Sequence, residues 1–218
     1  FNLTQTYAQA MGRLDMGWEK KVAAPSGAVT SHSIWDPAKR RVVTRSTRAL
    51  MVYYPDEDRW ENRTPGGNFP SGSDFQAGVT VDYASRTMYV LGDRLAEKIN
   101  LDTLGWTDLT GTAWGQFVRK GYTSGGYGEQ PGIAFHPRTK QILFMGRKMG
   151  ANSVWQPYEL FLIDPEAGTL KSISMSGPPN NSADGAYYGR FRLLPGTDSV
   201  VVMQTVTGHA AIGTIPFD

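Results

Sequence analysis

A short pattern recurs four times along this chain, and it restricts the fold more than any other feature. Ile34-Trp35-Asp36-Pro37 is followed by Val42-Val43-Thr44, and Thr80-Val81-Asp82-Tyr83 by Met88-Tyr89-Val90. Ala134-Phe135-His136-Pro137 is followed by Ile142-Leu143-Phe144, and Leu193-Leu194-Pro195 by Val200-Val201-Val202. Each second apolar run begins five residues after Pro37, Tyr83, Pro137 or Pro195. Two apolar stretches around a short polar turn read as a β-hairpin. The turns are Pro37–Arg40, Ala84–Thr87, Pro137–Lys140 and Pro195–Asp198. Proline pre-sets φ there, and Asp, Ser and Thr offer local side-chain hydrogen bonds.

Each unit has a second half with the same interval. Pro55 leads to Trp60, Leu101 to Trp106 and Pro165 to Leu170, each five residues on. Every unit is therefore two hairpins, or four strands. Pro37, Tyr83, Pro137 and Pro195 are 46, 54 and 58 residues apart. A four-stranded unit of roughly 50 residues is the repeat of a β-propeller blade. The predicted fold is all-β, a propeller of about four blades: 33–64, 79–110, 132–175 and 189–218.

The fourth unit stops at Phe217-Asp218, where its last turn should begin. Near the other end, Leu14 to Val22 looks like a strand without a hairpin, with Trp18 in the position of Trp60 and Trp106. Pairing of 14–22 with the fourth unit would close the ring and remove its free edges. On that reading 14–218 is one domain and 1–13 an extension. A four-unit piece of a larger propeller stays open as the alternative.

Composition agrees with a turn-rich β protein. Gly 25 and Pro 13 in 218 residues argue against a helical bundle, and Trp 6, Tyr 10 and Phe 9 favour strands. A net charge of +2 is too small by itself for a nucleic-acid footprint, so no nucleic-acid partner is expected. No apolar run approaches the ~18 residues of a membrane helix, so no membrane insertion is expected. Cys 0 excludes disulfides, thiolate metal sites and cysteine nucleophiles.

Tyr54-Pro55-Asp56-Glu57-Asp58-Arg59-Trp60, and Asp164-Pro165-Glu166-Ala167-Gly168-Thr169 after Leu160–Ile163, resemble kelch repeats of the galactose-oxidase-like propeller group. Tyr188 to Pro195 resembles the final-blade segment of secreted bacterial kelch-like proteins. The resemblance covers roughly Trp18 to Asp218. It departs from the family at the diglycine after the second strand, which is reduced to Gly92-Asp93 and Gly146-Arg147 and missing at Thr44-Arg45. Galactose oxidase chemistry is excluded, because its cross-linked Tyr–Cys cofactor needs a cysteine.

Propeller topology sorts the loops into two faces. The hairpin turns share one face and are short here. The other face carries long segments at 23–32, 65–78, 111–131, 146–157 and 176–189. Long irregular loops in a compact domain are usually functional. They bring aromatic rings, which stack on sugar rings, and amides and cations, which bond hydroxyls. The candidate ligand-binding residues are Trp114, Tyr122, Tyr127, Arg147, Trp155, Tyr187, Tyr188 and Arg190. Packing of these aromatics beneath their own loops is the competing explanation.

Other groups read as structural. His32, His136 and His209 have no metal-ligand spacing, so no metal or other cofactor is expected. Asp74, Asp93, Glu97, Glu129, Glu159 and Asp184 are candidate acids for glycoside hydrolysis, but no sequence feature sets their separations. No G-x-S-x-G, Walker or Rossmann loop occurs. Arg190 and Arg192 share one face of an inner strand, where they line the channel or pair within the fold. Lys39, Arg40, Arg41, Arg45 and Arg48 read as a solvated basic edge. Asn2, Asn62 and Asn180 head N-x-S/T triplets, where glycans would be tolerated.

These features make a non-catalytic binding or assembly module the expected function. Its ligand would be an extracellular glycan or a partner protein, held by the long-loop face of a protein at the cell or virion surface. Assembly into a homo-oligomer or larger structure is compatible. A carbohydrate-active enzyme, lyase or glycoside hydrolase, using the same face is the alternative.

Overall fold

Four antiparallel sheets form from the four sequence units in a computed structural model that describes residues 22–25, 32–46, 49–66, 77–92, 95–119, 131–147, 156–174, 191–203 and 210–215. The first sheet is β1 (His32–Asp36), β2 (Arg41–Arg45), β3 (Leu50–Tyr54) and β4 (Arg59–Asn62). The second is β5 (Gly78–Asp82), β6 (Thr87–Gly92), β7 (Leu95–Asn100) and β8 (Trp106–Asp108). The third is β9 (Gly132–His136), β10 (Gln141–Gly146), β11 (Glu159–Asp164) and β12 (Thr169–Ile173). The fourth is β13 (Phe191–Leu193), β14 (Ser199–Met203) and β15 (Ala210–Thr214). Strands neighbour one another in chain order within every sheet. The five-residue interval shows directly in the pairing, with Asp36 opposite Arg41, Asp82 opposite Thr87 and His136 opposite Gln141.

The turn geometry has one repeated device. Arg40, Arg86 and Lys140 close three of the four inner hairpins, and Asp58 and Gly168 close two outer ones. All five have positive φ, between 46° and 70°. That left-handed residue lets the chain rejoin the ladder after a four-residue turn, and only one of the five is the glycine that suits it best.

The first strands of successive sheets lie side by side: β1 by β5, β5 by β9 and β9 by β13. The sheets then pack face to face outward from these strands, over three hydrophobic cores. Val43, Val52, Met88 and Val90 fill the first. Leu91, Ile142, Phe144 and Ile163 fill the second. Leu143, Met145, Leu160, Phe191 and Val202 fill the third. β10 explains why its sequence is apolar throughout. Ile142 and Phe144 point into the second core, while Leu143 and Met145 point into the third, as the period of two requires. On the described faces not covered by these cores, Trp35 of the first sheet stays 44% exposed and Ile212 of the fourth 70%. Sheets stacked this way around their first strands fit a propeller-like fold.

Gly92 accounts for the retained half of the diglycine. Its φ is +117°, and a Cβ there would lie 2.6 Å from the Pro131 ring and 3.2 Å from the Ala77 Cα. Here the end of β6 passes directly under the segment that starts β9.

One element was not expected. The segment read as a plain loop from Gly111 contains α1 (Ala113–Phe117). Thr112 caps it, its Oγ1 accepting from the Gly115 N–H at 3.0 Å. Trp114 and Val118 sink into the second core, and Phe117 meets Phe161 edge-on at 4.7 Å. A helix of five residues shows no 3.6-residue periodicity to read, and its stability comes from this burial.

Candidate functional site

Charged side chains at the turn end of the sheets are consumed by contacts between neighbouring units. Asp36, the last residue of β1, is fully buried. It accepts from Arg41 Nε at 3.1 Å and from Arg86 of the next sheet at 2.6 and 3.0 Å. Burial pushes the Asp36 carboxyl upward, but the hydrogen bonds and charges of Arg86 and Arg41 outweigh it and hold the group below the usual carboxylate range. Arg41 also donates to the Leu101 carbonyl, and Lys39 donates to the Asp102 carbonyl at 2.7 Å. Between the third and fourth sheets the polarity reverses. His136 ends β9, and its Nε2 lies 3.0 Å from Asp198, which also accepts from Arg138. The hydrogen bond from Arg138, more than that from His136, draws the Asp198 carboxyl below its ordinary value.

Two sequence expectations are corrected here. Arg41 and Arg45 are not part of a solvated basic edge. Both are buried, and Arg45 pairs with Glu97 of the second sheet. Glu97 in turn accepts from Trp106 Nε1 at 2.7 Å. Glu97 is therefore a buried structural carboxylate rather than a catalytic acid on the loop face. Charge pattern alone could not show this, since the partner of Arg45 lies 52 residues away. His136 has the structural role assigned to it, bonded on both ring nitrogens to Thr139 and Asp198.

A cavity of about 510 Å³ lies among the first strands, bordered by residues of β1, β5, β9 and β13. Its size is that of a small-molecule site. Ile34, Val79, Val81 and Ile133 give it apolar walls, and His32, Ser33, Thr80, Tyr83 and Arg192 give it polar groups. No carboxylate is among the described lining residues. Burial, then the charge of Asp36, raises the pKa of the Tyr83 phenol, which stays a hydroxyl and donates to the Trp35 carbonyl at 2.9 Å. Ser33 shares a hydrogen bond with Thr44 at 2.9 Å. Arg192 lines this cavity, one of the two placements its strand left open. Its Nη1 donates to the Phe191 carbonyl at 3.0 Å, and it makes no ion pair with a described residue.

The eight candidate binding residues divide differently. Trp114 is 4% exposed and belongs to the core between the second and third sheets, so its indole packs beneath its own segment. Arg147 follows β10 and is buried, with its guanidinium 5.0 Å from the centre of the Tyr158 ring. Tyr158 belongs to the core on the other side of the third sheet, so Trp114 and Arg147 are not brought together. Tyr122, Tyr127, Trp155, Tyr187, Tyr188 and Arg190 lie outside the described residues. So do His209, Arg48, Asp74, Asp93, Glu129 and Asp184. Among the described residues no group of three or more His, Asp or Glu could hold a metal ion, and no helix is long and apolar enough to cross a membrane. The sequence reading missed Ser33 and Thr80; alternation along β1 and β5 was the available signal.

No protein-family profile matches the chain, and no curated protein matches it. Solved structures do. A nidogen/laminin complex aligns with a TM-score of 0.53 at 10% identity, over 84% of this chain and 60% of that one. A Bacteroides uniformis protein described as a 6-phosphogluconolactonase aligns with a TM-score of 0.53 at 12% identity, over 91% of this chain and 56% of that one. The chain thus spans under two thirds of either structure. At these identities the likeness concerns the fold alone, and the first of the two contains a β-propeller.

Proposed function

We propose that the chain is a kelch-like β-propeller acting as a non-catalytic binding or assembly module. Its ligand is an extracellular glycan or a partner protein, and its place is outside the cell or on a cell or virion surface. The observation that carries this reading is the composition of the axial cavity. It combines hydroxyls, apolar walls and a guanidinium with no carboxylate among its described residues. Such a site can bind by shape and hydrogen bonds. Paired-acid glycoside hydrolysis needs two carboxyl groups facing one bond; of the two described candidates, Glu97 is committed to Arg45 and Trp106, and Glu159, at the start of β11, does not line the cavity. The binding reading is preferred to the glycoside hydrolase on that ground.

A glycan array tests it, with wild type compared with Trp155→Ala and Tyr127→Ala. The reading expects retained ligand on the array, weakened by these loop-face changes and released chemically intact. Binding that neither change weakens contradicts the loop-face assignment. Cleavage of a retained glycan contradicts the non-catalytic one.

A further inference from the structure

We infer that the axial cavity is a binding site for a sugar acid bearing a single carboxylate, a uronate. This deepens the binding reading above and rests on it. The charge inventory of the cavity comes first. Arg192 is its one described permanent cation, and no described carboxylate lines the wall to neutralise it. Elsewhere on the described surface, cations such as Arg40, Arg86 and Arg138 face a carboxylate of their own. Arg192 does not, and spends one N–H on the adjacent Phe191 carbonyl. A guanidinium offers five N–H donors in a planar fork that matches a carboxylate. A sugar carboxylate can take that fork in a two-point contact.

The rest of the wall suits a sugar ring. Ser33 and Thr80 present hydroxyls that both donate and accept, and the Tyr83 oxygen, whose O–H goes to the Trp35 carbonyl, can accept. Ile34 and Val79 supply apolar surface for the C–H faces of a pyranose. A cavity of about 510 Å³ holds one such ring with its hydration water.

Titration calorimetry with D-glucuronate and D-galacturonate tests the inference, with glucose, galactose, acetate and inorganic phosphate as comparison ligands. One uronate should bind more tightly than its neutral sugar, acetate and phosphate. Arg192→Gln should weaken it by about tenfold or more, with partial recovery in Arg192→Lys. Thermal melts should show Arg192→Gln folded, since the side chain is exposed and outside the cores. Absence of uronate binding, equal binding of the neutral sugar, stronger binding of phosphate, or an unchanged constant in folded Arg192→Gln each overturns the assignment. Failure here with loop-dependent retention on the glycan array would leave the binding reading standing.

Discussion

Arg86, in the β5–β6 turn, donates two hydrogen bonds to the buried carboxylate of Asp36 at the end of β1, at 2.6 and 3.0 Å. The two residues lie 50 positions apart, about one sequence unit. The contact joins the hairpin of one sheet to the first strand of the sheet before it.

Removing Arg86 should loosen that joint. Arg41 still faces Asp36 in an Arg86→Met variant, so the charge is not orphaned. The loss should be about 2 kcal/mol, the range of hydrogen bonds to a charged group, rather than the larger cost of an unpaired buried charge. The pH dependence has a definite sign. The folded Asp36 pKa is depressed, so its stabilisation is complete above the unfolded carboxyl value of about 3.9 and is lost as pH falls through the lower folded value. Denaturant titrations at falling pH should show a shallower acid loss for Arg86→Met than for wild type. Identical acid profiles would contradict the role given to Asp36.

Arg45 and Glu97 should behave as a coupled unit. Glu97→Gln leaves a buried guanidinium without its counter-charge and should cost about 3–5 kcal/mol. Arg45→Met combined with Glu97→Gln removes both charges and should cost less than the sum of the two single changes, by at least about 1 kcal/mol. Chemical denaturation of the four proteins measures the coupling; additive losses would contradict a direct buried pair.

The left-handed turn residues make an opposite prediction for two equivalent positions. Lys140 has φ of 57° and is exposed. Glycine there relieves about 1–2 kcal/mol of backbone strain while adding roughly 0.4–1 kcal/mol of unfolded-state freedom. Lys140→Gly should therefore raise the melting temperature. Arg86 has the same φ, but Arg86→Gly also loses Asp36 and should lower it. A decrease in both would show that turn strain is not relieved at Lys140.

How much could be read in advance follows from what each residue depends on. The strands were legible because hairpin spacing is local: five residues separate Pro37 from Val42 whatever surrounds them. Alternation put Arg192 on one face of its strand but left open whether it lines a channel or pairs within the fold; the cavity among the first strands decides that. The buried charges were not. Arg41 and Arg45 look solvated until the second sheet delivers the Leu101 carbonyl and Glu97 against them. Trp114 was misplaced because a capped five-residue helix leaves no periodic trace, and its burial depends on Ile133 and Phe144 from the next sheet.

The side-by-side placement of the sheets' first strands underlies everything else, and cross-linking tests it most directly. The chain has no cysteine, so Ser33→Cys combined with Arg192→Cys gives one unique thiol pair. Both positions line the same cavity, one on the first sheet and one on the last. Short bis-maleimides should join them within a single chain, detected by intact mass and peptide mapping at dilute protein. Cross-links that form only between chains, or none where each thiol reacts singly, would contradict the arrangement.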